Sequence, residues 1–144
     1  MSNGITDWGA AQWLAALFGV VSPISGYYVA LATDQPGVDA DGTILADLEP
    51  TDSAYNRVAY PAGSSYWGVN GQYIANIVDI DFGGAVIDWG SLTHYVLCDS
   101  SSGGEIYAFG EFLNPSYVGA GDQVLVPGGG IVLALSSLQD SIAV

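Results

Sequence analysis

The side chains that could serve as base, soft nucleophile or metal ligand are few: His94, Cys98 and fifteen Asp and Glu residues. General acid–base work at neutral pH is done most often by imidazole, and His94 is the only one available. It sits in Leu92-Thr93-His94-Tyr95-Val96, a strand-like run with no Ser or Cys nucleophile motif beside it. Cys98 lies four residues on, on the same face of such a strand but about 13 Å away along it, beyond hydrogen-bonding reach. A structural histidine and a small buried thiol account for the pair better than a catalytic dyad. Carboxylates offer two pairings for glycoside chemistry, Asp79 with Asp81 and Glu105 with Glu111, but in strands of an acidic chain these read as a solvated face. Asp39-Ala40-Asp41-Gly42, with Thr43 and Asp47 following, echoes the oxygen-rich loops that hold calcium. It lacks the third Asx and terminal Glu of an EF-hand, and an ordinary turn explains the Asp-Gly pair equally well. Asp39, Asp41 and Asp47 are thus the one candidate calcium set. No other cofactor is expected, and transition metals are not, for want of His and Cys ligands. Gly128-Gly129-Gly130 follows a Pro and has no Lys after it, so it reads as a turn and not as a phosphate loop.

The composition bounds the partners. One cation, Arg57, stands among 144 residues against fifteen acids, for a formal charge of -14. Neutralising a run of phosphates takes many Lys and Arg, so nucleic acid and anionic membranes are repelled rather than steered. Half of the residues are hydrophobic and 12% aromatic, which marks a folded core and not an acidic disordered tail. The length suits one domain over 1–144. A lone cysteine cannot form an internal disulfide, and the N-terminus lacks a basic n-region or a bilayer-length apolar run, so a soluble protein is expected.

The elements that would position these residues are mostly strands. Asp7 to Phe18 places Ala10, Trp13, Leu14, Leu17 and Phe18 on one helical face, with Thr6 or Asp7 to cap it and Gly19 to end it. So short a helix must dock on its own sheet or on a neighbouring subunit. From about 26 to 136 the pattern is β. Strands are expected at Tyr27 to Thr33, Tyr55 to Tyr60, Asn76 to Phe82, Leu92 to Cys98, Glu105 to Phe112, Gln123 to Val126 and Ile131 to Leu135. Asp99 to Gly104 joins two of them as a hairpin loop, Gly119 to Asp122 is a turn after Asn114-Pro115, and 38–52 is a long acidic loop. The fold class is mostly β: an antiparallel sandwich or barrel with one short N-terminal amphipathic helix. Tyr55, Tyr60, Tyr66, Trp67 and Tyr73 cluster in sequence and could stack a sugar, meet a subunit or fill the core.

A succession of these signatures resembles small all-β virion structural proteins of tailed bacteriophages, of tail-fibre-like, minor capsid or decoration type. The residues that carry it are the short helix leading to Tyr28-Val29-Ala30-Leu31-Ala32-Thr33-Asp34-Gln35-Pro36-Gly37, then Tyr55-Asn56-Arg57-Val58. Trp89-Gly90-Ser91-Leu92-Thr93-His94, Cys98-Asp99-Ser100, Gly103-Gly104-Glu105, Val118 with Gly121-Asp122, and Pro127-Gly128-Gly129 with Ile131 follow in the same order. Order, more than any single motif, carries the resemblance, and 38–52 matches least. It implies a β module that assembles on the particle and has no active site.

Two readings of function stay open. The first is a non-enzymatic capsid decoration or minor capsid protein, an oligomer, with a trimer among the arrangements expected. The second is a tail-fibre or baseplate module binding host-surface glycan. Either places the protein in the virion after assembly in the host cytoplasm, against major capsid or tail proteins. Trp13, Phe18, Tyr66 and Trp67 are the candidate interaction residues. With almost no cations, attachment should use a basic partner surface or a largely apolar interface.

Overall fold

A computed structural model describes residues 4–134. In chain order the elements are β1 (Gly4–Ile5), α1 (Asp7–Leu17), β2 (Gly26–Ala32), α2 (Gly42–Ala46), β3 (Val58–Pro61), β4 (Trp67–Asn70), β5 (Tyr73–Asn76), β6 (Ile80–Gly84), β7 (Gly90–Cys98), β8 (Ile106–Val118), β9 (Gln123–Val126) and β10 (Val132–Ala134). The expected last strand reached Leu135, which lies outside the described residues, as does the end of the β region at 136. Every pairing is antiparallel: a five-stranded sheet ordered β1-β8-β7-β2-β3, a three-stranded sheet β10-β5-β4 and a two-stranded β6-β9. The sheets do not close into a barrel. The main core joins side chains of the large sheet, such as Val29, Leu31, Tyr95 and Leu97, to Ile80, Phe82, Val124, Val126 and Leu133 of the smaller ones, a sandwich-like arrangement.

Helix α1 begins and ends where its caps predict. Thr6 Oγ1 accepts the Gly9 N–H at 2.9 Å while its hydroxyl donates to the Ile106 carbonyl, so the cap also ties the helix to β8. Gly19 takes φ +74° and the Gly19 and Val20 amides donate back to Ala16 and Ala15, a Schellman closure. The predicted apolar face is only half used. Ala10 is buried and Trp13 stacks parallel to Tyr107 at 6.0 Å, but Leu17 and Phe18 are 75% and 76% exposed.

Four expectations need correction. The 38–52 stretch is not merely a loop: α2 forms within it, and Ala40 and Leu45 close a second core on the outer face of the large sheet, over Ala30, Ala32, Val96 and Cys98. Gly42 permits this, since a Cβ there would lie 1.9 Å from the Gly103 carbonyl oxygen. The Tyr66–Tyr73 region forms an unpredicted hairpin, β4–β5, turning at Gly71-Gln72. The strand expected at Asn76 to Phe82 is split, with Asn76 ending β5 and β6 starting at Ile80; Val78 is exposed while Ile80 and Phe82 are buried. Strand β8 runs through Asn114-Pro115, because the ladder passes from Leu92–Ser116 to His94–Glu111 and leaves Pro115 in a bulge where no amide is required.

Arg57 holds the second core in place. Its Nε and Nη2 donate to both oxygens of Glu49, and Nη1 donates to the carbonyls of Ser100 and Gly103. Tyr55 also donates to Glu49, at 2.6 Å, and accepts the Leu31 N–H. The side chains of Arg57 and Glu49 are 3% and 10% exposed. Removing one partner of such a pair leaves the other charge buried and unpaired, a loss of about 3–5 kcal/mol. Arg57→Met is accordingly expected to destabilise by about that amount in urea unfolding, and Glu49→Leu combined with it to restore part of the loss.

Candidate functional site

His94 and Cys98, the residues with most chemical potential, lie inside the fold. His94 is buried in β7 between Ala32 of β2 and Glu111 of β8 in the ladder, with its Nδ1 2.7 Å from the Thr93 hydroxyl. Burial lowers its pKa, against the opposing pull of Glu111 and Asp34. Cys98 is fully buried in the second core, and burial pushes its thiol up to about 12. A thiol so placed stays protonated and unreactive at neutral pH.

The carboxylates act on the backbone. Asp41 caps α2 by accepting the Thr43 and Ile44 amides. Asp47 is the residue that ends α2, and Asp39 lies by Asp7, whose carboxyl titrates above its ordinary value because the two acids share a hydrogen bond. Among the described residues no group of three or more His, Cys, Asp or Glu is placed to hold a metal ion, so Asp39, Asp41 and Asp47 are not brought together. Asp79 accepts the Gly128 amide and Asp81 the Gly83 amide. Glu105 stands at the β7–β8 turn, and Glu111 is six residues along an extended chain, about 20 Å. Glycosidase carboxyls stand about 5–9.5 Å apart.

Asp52 is the most heavily bonded acid. It accepts from the amides of Ala54, Val86 and Ile87 and from the Trp89 indole. Nothing local marks this role, since Val86, Ile87 and Trp89 lie more than thirty residues from Asp52.

One concavity of the described chain is apolar. A groove of ≈ 870 Å³ runs between α1 with the segment after it and the β4–β5 hairpin, reaching the end of β10. None of its lining residues carries a charge. Trp13 and Trp67 line it, along with Leu17 and Val69 at its rim; Phe18 and Tyr66 do not. Trp67 meets Tyr27 and Tyr60 edge-on, at 6.0 and 5.2 Å, and donates to the Pro61 carbonyl, so its ring is largely engaged within the chain. Tyr66 packs edge-on against Tyr60. The aromatic cluster noted in sequence is therefore shared: Tyr55 stacks on Phe82 inside the main core, whereas Trp67 and Tyr73 form groove wall. Leu133 and Ala134, on the far wall, had no sequence signal, because β10 reaches the groove only through its pairing with β5.

Residues 4–134 match the sequence family described as Podophage GP4 fiber I protein gp80, and the chain belongs to that family. It is thus a structural protein of a tailed-phage virion, as the order of its motifs implied. No curated protein matches the chain. No helix among the described residues is long and apolar enough to cross a membrane.

Two buried groups can be read out directly. The Cys98 thiol is expected to resist DTNB in the native protein at pH 8 and to react within seconds once the chain is unfolded in guanidinium; fast native labelling would contradict its burial. The Asp52 carboxyl is held well below its ordinary 3.8, chiefly by the Ala54 amide and then by the Trp89 indole. A group depressed on folding stabilises fully above its unfolded value, and that stability is lost as pH falls through the folded one. Asp52→Asn is therefore expected to lower Tm at pH 7 and to flatten the decline in Tm of the natural chain below about pH 4.

Proposed function

We propose that the chain is a non-enzymatic fibre component of the virion, acting through assembly with other virion proteins rather than through catalysis. The observation that carries this reading is the family match over nearly the whole described chain to a protein described as a podophage fibre. The chemistry agrees. The single imidazole and the single thiol are core residues, and eight of the carboxylates accept backbone amides. The match favours the fibre over the capsid decoration placed first on sequence grounds.

Within the fibre, attachment to neighbouring proteins is favoured over host glycan as the use of the groove. Sugar sites need polar groups converging beside the aromatic platform, whereas the groove is lined by apolar and uncharged residues. Reconstruction of the phage particle is the test. Density fitting residues 4–134 is expected in fibres around the tail or neck, and density confined to capsid local three-fold axes would overturn the reading. Retention on a host-glycan array that depends on Trp67 would replace assembly by glycan binding.

A further inference from the structure

We propose that the charge-free groove and its rim form the surface on which a second copy of this chain docks, a step that rests on the assembly reading and names its partner.

The first support is the distribution of charge. The two longest stretches of the sequence without an Asp, Glu, Lys, Arg or His are 8–33, between Asp7 and Asp34, and 58–78, between Arg57 and Asp79. The fold brings these two together, for α1, the segment after it and the start of β2 make one wall and the β4–β5 hairpin the other. Copies of a chain with formal charge -14 repel wherever their acidic surfaces meet. Contact between copies is least opposed where neither presents a charge, and this groove is such a place. A basic partner, by contrast, would find nothing here to pair with.

The second support is exposure. Leu17 is 75% exposed at the helix end, and Val69 and Tyr73 are 74% and 57% exposed on the facing hairpin, all three at the groove. Isolated apolar side chains on a surface need no explanation, but a group of them rimming an apolar groove marks an interaction site. The third support is the edge of the small sheet. Among the described residues strand β4 is terminal in its sheet, and its sequence Trp67-Gly68-Val69-Asn70 has no charge, proline or bulge. Strand edges are normally blunted by such devices, and one left plain is available for pairing with another chain.

The experiment measures self-association of the full chain by sedimentation velocity over about 1–100 µM at low and high salt. Association is expected, tightening as salt rises, because screening weakens repulsion between acidic copies and leaves an uncharged contact intact. Leu17→Glu and Val69→Glu, both at exposed positions, should each weaken it about tenfold or more with the monomer Tm unchanged. Leu113→Glu, at an 87% exposed position outside the groove, serves as control and should leave it unaltered. A chain monomeric at 100 µM in high salt overturns the proposal, and so does association that weakens with salt or that Leu113→Glu disrupts while the groove variants do not. If the chain is monomeric yet groove variants fail to enter particles, a different virion protein occupies the groove; the assembly reading then stands and this inference falls.

Discussion

The pairing of Arg57 with Glu49 is the contact on which the outer half of the fold depends. Arg57 is the only Lys or Arg in the chain, and its guanidinium is held by both oxygens of one carboxylate and by two carbonyls of the β7–β8 turn. A planar fork of five donors can satisfy a carboxylate and two carbonyls at once, which an ammonium on a flexible stem cannot do with the same geometry. The contact joins three places far apart in sequence: the end of the acidic segment, the approach to β3, and the turn at Ser100–Gly103. Asp41 and Gly42 rest on that same turn, by a bridge to Glu105 and a hydrogen bond to the Gly104 carbonyl. Together they lay α2 across the large sheet, so that Ala40 and Leu45 keep Cys98 and Val96 from water.

One cation leaves most of the acids without a counter-charge from their own chain, and the structure shows what replaces it. Asp34, Asp41, Asp52, Asp79, Asp81, Asp88, Asp99 and Asp122 each accept at least one backbone N–H. Amide dipoles thus take the place of salt bridges, and each bond also fixes a turn. Asp99 holds the start of β8 through Glu105, Asp88 reaches Ala120, and Asp79 reaches Gly128. The acidity that a composition summary presents as surface charge is in good part loop architecture. Aspartates bonded to amides need no charged partner, which is why so acidic a chain can fold with so little charge pairing.

What was legible in the sequence was local. The α1 boundaries follow from Thr6 and Gly19, whose capping roles need only neighbouring residues, and the β7–β8 hairpin follows from two apolar runs around a Gly-Ser turn. The missed features depend on distant contacts. Five residues are too few for α2 to form by propensity alone, and it stands because Leu45 has a sheet to lie on and Asp41 a turn to meet. Pro115 argued for a break in β8, but it falls in a bulge of β8 itself, where the ladder calls for no amide. The β4–β5 hairpin did carry a local mark, Gly71 at the first position of the two-residue loop Gly71-Gln72, where a hairpin turn calls for a positive φ. Asp52 and the groove were illegible because both are assembled from segments that meet only in the folded chain.

Helix α1 shows where periodicity stops informing. Its apolar stripe is continuous from Ala10 to Phe18, yet the sheet covers only the first part, where Trp13 lies on Tyr107 and Tyr27. A 3.6-residue pattern records that a face is apolar and is silent on what covers it. Core residues are constrained by packing against fixed neighbours, so substitutions at Ala10 or Trp13 would be felt as lost stability. Leu17 and Phe18 have no such neighbours among the described residues, and isolated burial cannot account for keeping both apolar at the end of an otherwise half-packed helix. The absence of charge throughout 8–33 and 58–78, in a chain where every ninth or tenth residue is acidic, has the same character. Turn aspartates are spread over many other loops, and the two longest segments without a charge are those that face each other across the groove.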